Sequence, residues 1–145
     1  MKSIVTKMLL NNTLCVLSTC LNDIPNSSLM QYICDSRCTK IYMLTLKEST
    51  KYNNIINNAN VSLLIDTRDE IRNNATQTQA ATIYGEASIL DDTSISKKII
   101  EKLSKKHESL LNLASNINVY VIEIIIKSAL LLENVDKSSL ISFTD

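Results

Sequence analysis

Residues 40–66, KIYMLTLKESTKYNNIINNANVSLLID, leave little freedom of local structure. KIYMLTL has the β-branched and aromatic content of a buried strand. Residues 48–58 carry Tyr52, Ile55 and Ile56 at helical spacing, which suits one buried face. VSLLID then reads as a second buried strand. The joint between first strand and helix gathers Thr45, Ser49, Thr50 and Lys51, three hydroxyls and one ammonium at a helix N-terminus. Free backbone N–H groups and the helix dipole favour an anion there, and Lys51 adds a point charge suited to phosphate. The same residues also fit a simple Ser or Thr cap beside a solvated lysine.

Around this unit the chain reads as mainly β with flanking helices. Residues 3–11 form an amphipathic helix with Ile4, Val5, Met8 and Leu9 on one side. Residues 13–20 and 28–34 are paired strands around the turn NDIPN at 22–26. Residues 68–78 are polar and patternless, a loop. Residues 79–90 are a long strand whose Gly85, the only glycine, marks a bulge or a close backbone approach. Asp92 or Thr93 caps a helix with Ile95, Ile99, Leu103, Leu110 and Leu113 on its buried side and a break near His107. Residues 118–132 form a last long strand, bent near Lys127 and Ser128. The final dozen residues are polar and read as loose or packed on a partner. This order gives six strands, mostly antiparallel with few crossovers, and suits a small barrel.

Bulk properties exclude several classes. A chain of 145 residues is a single domain, 1–145, able to bury its own core. Its 15 basic and 15 acidic residues cancel, so nothing draws it to nucleic acid or to an anionic membrane. No stretch approaches the ~20 apolar residues of a membrane span. Asn11, Asn12 and Thr13 break the apolar N-terminal run, which therefore does not read as a signal peptide. Cys15, Cys20, Cys34 and Cys38 form no C-x-x-C pair and meet only one histidine, His107, so no metal site is expected. They read as reduced, half-buried cysteines of a cytoplasmic protein. No Ser-His-Asp set, carboxylate pair or Gly-rich nucleotide loop appears. His107, standing alone, reads as a core or helix-surface histidine.

The order Thr45, Ser49, Thr50, Lys51, Ile55, Asn57, Asn58, Val61, Ser62, Leu63, followed by Gly85, Glu86 and Ala87, resembles the FMN-binding split barrel of the pyridoxamine 5′-phosphate oxidase family. The resemblance spans residues 2–132. It implies a six-stranded antiparallel split β-barrel that is a homodimer, with FMN closed in by the second subunit. It makes Thr45, Ser49, Thr50 and Lys51 the phosphate site. It lays the flavin ring on the backbone of Met30, Gln31, Tyr32 and Ile33, with Gln79 as the nearest match to a flavin-contacting glutamine, one residue off register. The pattern departs at Thr50, where the family has arginine, and at Leu29 and Cys34, where pyridoxamine oxidases have arginine and lysine. Those oxidases also use a C-terminal segment with tryptophan and several arginines. This chain has no tryptophan, which implies that pyridoxamine phosphate is not its substrate.

Three functions follow from these readings. The first is an FMN-dependent oxidoreductase that works on a small-molecule substrate or electron donor. The second is a non-catalytic flavin- or haem-binding module. Haem would need an axial ligand from His107, a cysteine or a methionine. The third is an interaction domain without a ligand.

Overall fold

The structure, a computed structural model, describes residues 2–68, 78–134 and 136–144. The chain runs α1 (Lys2–Asn11), β1 (Leu14–Leu21), β2 (Ile24–Gln31), β3 (Ile33–Cys34), β4 (Lys40–Leu46), α2 (Thr50–Asn57), β5 (Asn60–Asp66) and β6 (Ala80–Ile89). It continues with α3 (Thr93–Lys106), a 3-10 turn (Glu108–Leu110), α4 (Leu111–Ala114), β7 (Val119–Asn134) and β8 (Lys137–Ser142). All pairings are antiparallel, in the order β2-β1-β5-β6-β7-β4-β3, with β8 added beside β7. This sheet curls into the split-barrel form expected.

Among the described residues the strand count is eight, not six. Two local effects account for the difference. The expected strand 28–34 is interrupted at Tyr32, giving β2 and β3. The tail, expected to be loose or packed on a partner, carries Leu140 and Ile141 on a strand that pairs Ser128–Ser142 through Asn134–Lys137 with the end of β7. The turn 22–26 is also tighter than expected. Asn22 and Asp23 alone make it, at φ 52° and 63°, a left-handed pair that Asn and Asp tolerate. Pro25 therefore lies within β2. Because β2 is an edge strand paired only with β1, the missing N–H costs no ladder bond.

β7 is the spine. Its first half pairs with β4 and its second with β8, while β6 runs along its other side. The register with β6 slips between Tyr84 and Gly85, so Lys127 is the extra residue of a bulge. This is the bend expected there. A Cβ on Gly85 would lie 2.7 Å from Ile125 O and 2.7 Å from Ile124 Cγ2, so no larger residue fits without a shift.

The main core holds Leu17, Ile41, Met43, Leu63, Ile83, Ile122, Ile124 and Leu131, closed by Val5, Met8 and Leu9 of α1. A second, smaller core holds Ile33, Leu44 and Val121 under Ile99 and Leu103 of α3. Asp92 caps α3, accepting from Ser94 N (3.0 Å) and Ile95 N (3.1 Å). The helix stops at Lys106, as the break at His107 suggested. Of the side expected to be buried, Ile99 and Leu103 are covered, while Ile95 is exposed. The polar loop 68–78 falls almost wholly outside the described residues. None of the described helices is long and apolar enough to cross a membrane.

Candidate functional site

The helix α2 begins at the end of β4, and its first turn is built as an anion cradle. Ser49 is the N-cap, and its hydroxyl accepts from Tyr52 N (3.2 Å). Thr45, 2% exposed, places its hydroxyl 2.7 Å from that of Ser49. The first intrahelical bond runs from Asn53 N to Ser49 O (3.1 Å). The N–H groups of Thr50 and Lys51 lie ahead of it and have no helical acceptor. Lys51 is half-buried, and no ion pair among the described residues includes it.

A cavity of about 370 Å³ opens beside this cradle, a size at which small molecules bind. Met30 and Gln31 of β2 form one wall, and Thr45, Ser49 and Lys51 form the polar end. Leu14, Leu29, Leu44 and Leu46 make the rest apolar, and Leu110 and Leu113 close a side. An apolar slot ending in a cationic, N–H-rich pole suits a flat ring carrying a phosphate.

Of the nine residues expected at the site, Met30, Gln31, Thr45, Ser49 and Lys51 thus meet in one cavity. The other four do not line it. Thr50 is exposed at the first position of α2. Tyr32 is fully buried, and its hydroxyl donates to Leu9 O (2.6 Å) while its carbonyl faces His107 Nε2 (2.8 Å). Ile33 points to the second core beneath α3. The strand break at Tyr32 turns these two residues away from the face used by Met30. Gln79 lies at another cavity, beside Ile4, Lys7 and Met8 of α1, with its N–H donating to Thr67 Oγ1 (2.9 Å).

The sequence pattern placed Leu110 and Leu113 on the buried side of a helix broken near His107 and did not point to the cavity wall they make. Its signal was the break at His107. His107, 5% exposed, ties the segment to the carbonyl of Tyr32, and Ser109 Oγ donates to Gln31 Oε1 (3.0 Å). His107 is therefore a core histidine turned away from the cavity. Among the described residues no group of three or more His, Cys, Asp or Glu side chains could hold a metal ion.

The family profile for pyridoxamine 5′-phosphate oxidase matches residues 2–130. The chain belongs to this family. Solved structures share the fold. General Stress Protein 26 from Bacillus anthracis is 23% identical with a TM-score of 0.75, the match covering 98% of each chain. An FAD-binding protein from Mesorhizobium loti is 15% identical with a TM-score of 0.71, over 89% of this chain and 91% of that one. HutZ, the heme storage protein from Vibrio cholerae, is 13% identical with a TM-score of 0.74, over 92% and 94%. A search of curated protein sequences finds no match. Two of these neighbours carry a ligand in their names, FAD for one and haem for the other.

Proposed function

We propose that this protein binds FMN in the cavity between β2, β4 and α2 and uses it to move electrons to or from a small-molecule substrate. The observation that carries the reading is the convergence of Thr45, Ser49 and the first turn of α2 with Lys51 at the polar end of an apolar slot. Bound FMN would supply reversible hydride and electron transfer. Lys51 and the N–H groups of Thr50 and Lys51 hold the phosphate. Thr45 and Ser49 fix the geometry of the turn through their 2.7 Å contact. Met30, Leu44 and Leu110 flank the ring and keep water from it, and Gln31, steadied by Ser109, offers an amide at its edge. A single anion cradle with no Gly-rich pyrophosphate loop favours FMN over FAD.

Haem is supported less well by these residues. His107 is bonded to Tyr32 O and lies outside the cavity lining, which leaves only the Met30 thioether there as an axial ligand.

The open side of the cavity faces a second subunit in this reading. Leu29, Val16 and Leu64 lie side by side across β2, β1 and β5. Leu29 is 69% and Leu64 41% exposed, and Leu14 beside them is 44% exposed. Leu14 and Leu29 also line the cavity, so a copy seated on this row would close it. On β7, α3 covers Val121, whereas Ile125 stays exposed. With a neutral chain and reduced cysteines, the expected setting is the cytoplasm.

The experiment is purification in the presence of added FMN, an absorption spectrum, and chromatography of the ligand released on denaturation. A yellow protein yielding FMN supports the proposal. A Soret band, or a colourless protein that takes up no FMN, overturns it.

A further inference from the structure

A second cleft, of about 350 Å³, opens between α3 and the loop joining β3 to β4. It shares no lining residue with the cavity beside α2. Its floor is apolar. Ile33 and Ile99 line it and belong to the second core, at 8% and 7% exposure. Half-buried Tyr42 packs against the same core, and Ile95 lines the cleft with 48% of its surface exposed.

The loop wall is preformed. The Asp35 carboxylate accepts from Thr39 N (2.8 Å), Lys40 N (2.9 Å) and Thr39 Oγ1 (3.0 Å), so both its oxygens are occupied. Asp35 N donates to Lys40 O (3.0 Å). The loop thus keeps its shape through its own hydrogen bonds.

The helix wall is cationic. Lys98 and Lys102, both exposed, line the cleft one turn apart. Four-residue spacing sorts the charges of α3 into two stripes. Lys97, Glu101 and Lys105 share one, with the acid between two bases. Lys98, Lys102 and Lys106 share the other, which has no acid. Like charges at this spacing repel each other. No ion pair among the described residues includes Lys98 or Lys102. Acids on the neighbouring elements are engaged elsewhere, Asp35 by its own loop and Glu123, the cross-strand partner of Tyr42, by Lys40 at 3.6 Å.

An apolar floor beside two unneutralised ammonium groups suits an occupant with an apolar body and a negative head. At this spacing the two Cβ atoms stand about 5–6 Å apart, so both ammonium groups reach the two oxygens of one carboxylate. We propose that this cleft binds a small carboxylate with an apolar body, its tail on Ile33, Ile95 and Ile99 and its head between Lys98 and Lys102. This site is separate from the proposed flavin site and does not depend on it.

The test titrates the full-length, isotope-labelled protein with phenylbutyrate and follows its backbone amide shifts. Saturable shifts should concentrate at residues 33–36 and 95–102, which form the two walls. Phenylbutanol, which lacks the charge, should bind about fivefold or more weakly at low salt, and the gap should close at high salt. Acetate, which lacks the body, should give no saturable shift. A Lys98→Gln, Lys102→Gln variant should bind phenylbutyrate no better than phenylbutanol while its thermal unfolding stays that of the wild type or improves. Ile95→Ser, at an exposed position, should weaken both probes alike. Lys51→Ala should leave the shifts at the cleft unchanged, which separates this site from the cavity beside α2. Shifts confined to Met30, Gln31 and Lys51, a response that does not saturate, or equal affinities for phenylbutyrate and phenylbutanol would overturn the proposal.

Discussion

Lys51 and Ser49 stand two residues apart and do different work, which single substitutions separate. Lys51 has no ion-pair partner among the described residues, so Lys51→Ala removes little that the empty fold uses. A charged hydrogen bond to phosphate contributes roughly 1.5–3 kcal/mol, whereas such a surface change rarely moves stability by more than about 0.5 kcal/mol. Flavin titration should therefore show a loss of about tenfold or more, with apo-protein unfolding unchanged. Ser49→Ala instead removes a cap and should lower apo stability by about 1 kcal/mol, read in denaturant unfolding. Asp35 carries the pH prediction. Burial opposes its ionisation, but the donated bonds of Lys40 N, Thr39 N and Thr39 Oγ1, with the Lys40 charge, hold its pKa below 3.8. A depressed carboxylate stabilises the fold above its unfolded pKa, and that contribution disappears as pH falls through the folded one. The stability difference between wild type and Asp35→Asn should be constant near neutrality and should shrink below about pH 4. A difference that grows on acidification would contradict the hydrogen-bonding account of this loop.

At the scale of elements, the sequence made β4, α2 and β5 legible because each has one clear periodicity and the cap residues stand at the joint. Gly85 and the bend near Lys127 were legible for the same reason, since a lone glycine and an overlong strand both demand irregularity. What escaped was set by tertiary contact. Nothing local announces that Tyr32 breaks its strand: the break follows from its hydroxyl reaching Leu9 O across the core. Nor does the pattern of Leu110 and Leu113 reveal that they leave α3 and line the cavity. That depends on His107 Nε2 meeting Tyr32 O, 75 residues away in sequence. His107→Ala should therefore loosen the segment 107–114 selectively. Hydrogen exchange of the apo protein should speed up there and at Tyr32, while β5 and β6 keep wild-type protection. Uniform acceleration across the sheet would mean that His107 supports the whole core instead. The role of α3 as a cover is tested by Leu103→Ala. This side chain is 0% exposed, and its truncation should destabilise by about 2–5 kcal/mol.

For the molecule as a whole, the fold and the family motif were readable, whereas closure of the cavity by a second subunit was implied by the family resemblance alone and stands here as a proposal. The row Leu29, Val16 and Leu64 is the one the proposed second copy would cover. Leu64→Glu should shift sedimentation toward monomer and weaken flavin binding together, since the two are linked by mass action. A monomeric variant that binds flavin with wild-type affinity would remove the shared-site idea and leave the cavity to one chain. The central claim rests on the anion cradle itself, and the most direct measurement compares FMN with riboflavin, which lacks only the phosphate. Fluorescence titration of the wild type should give FMN an affinity about tenfold or more above riboflavin, a gap of roughly 1.4 kcal/mol or larger. Lys51→Ala should narrow that gap by weakening FMN and leaving riboflavin unchanged. Equal affinities of the wild type for FMN and riboflavin would contradict the account.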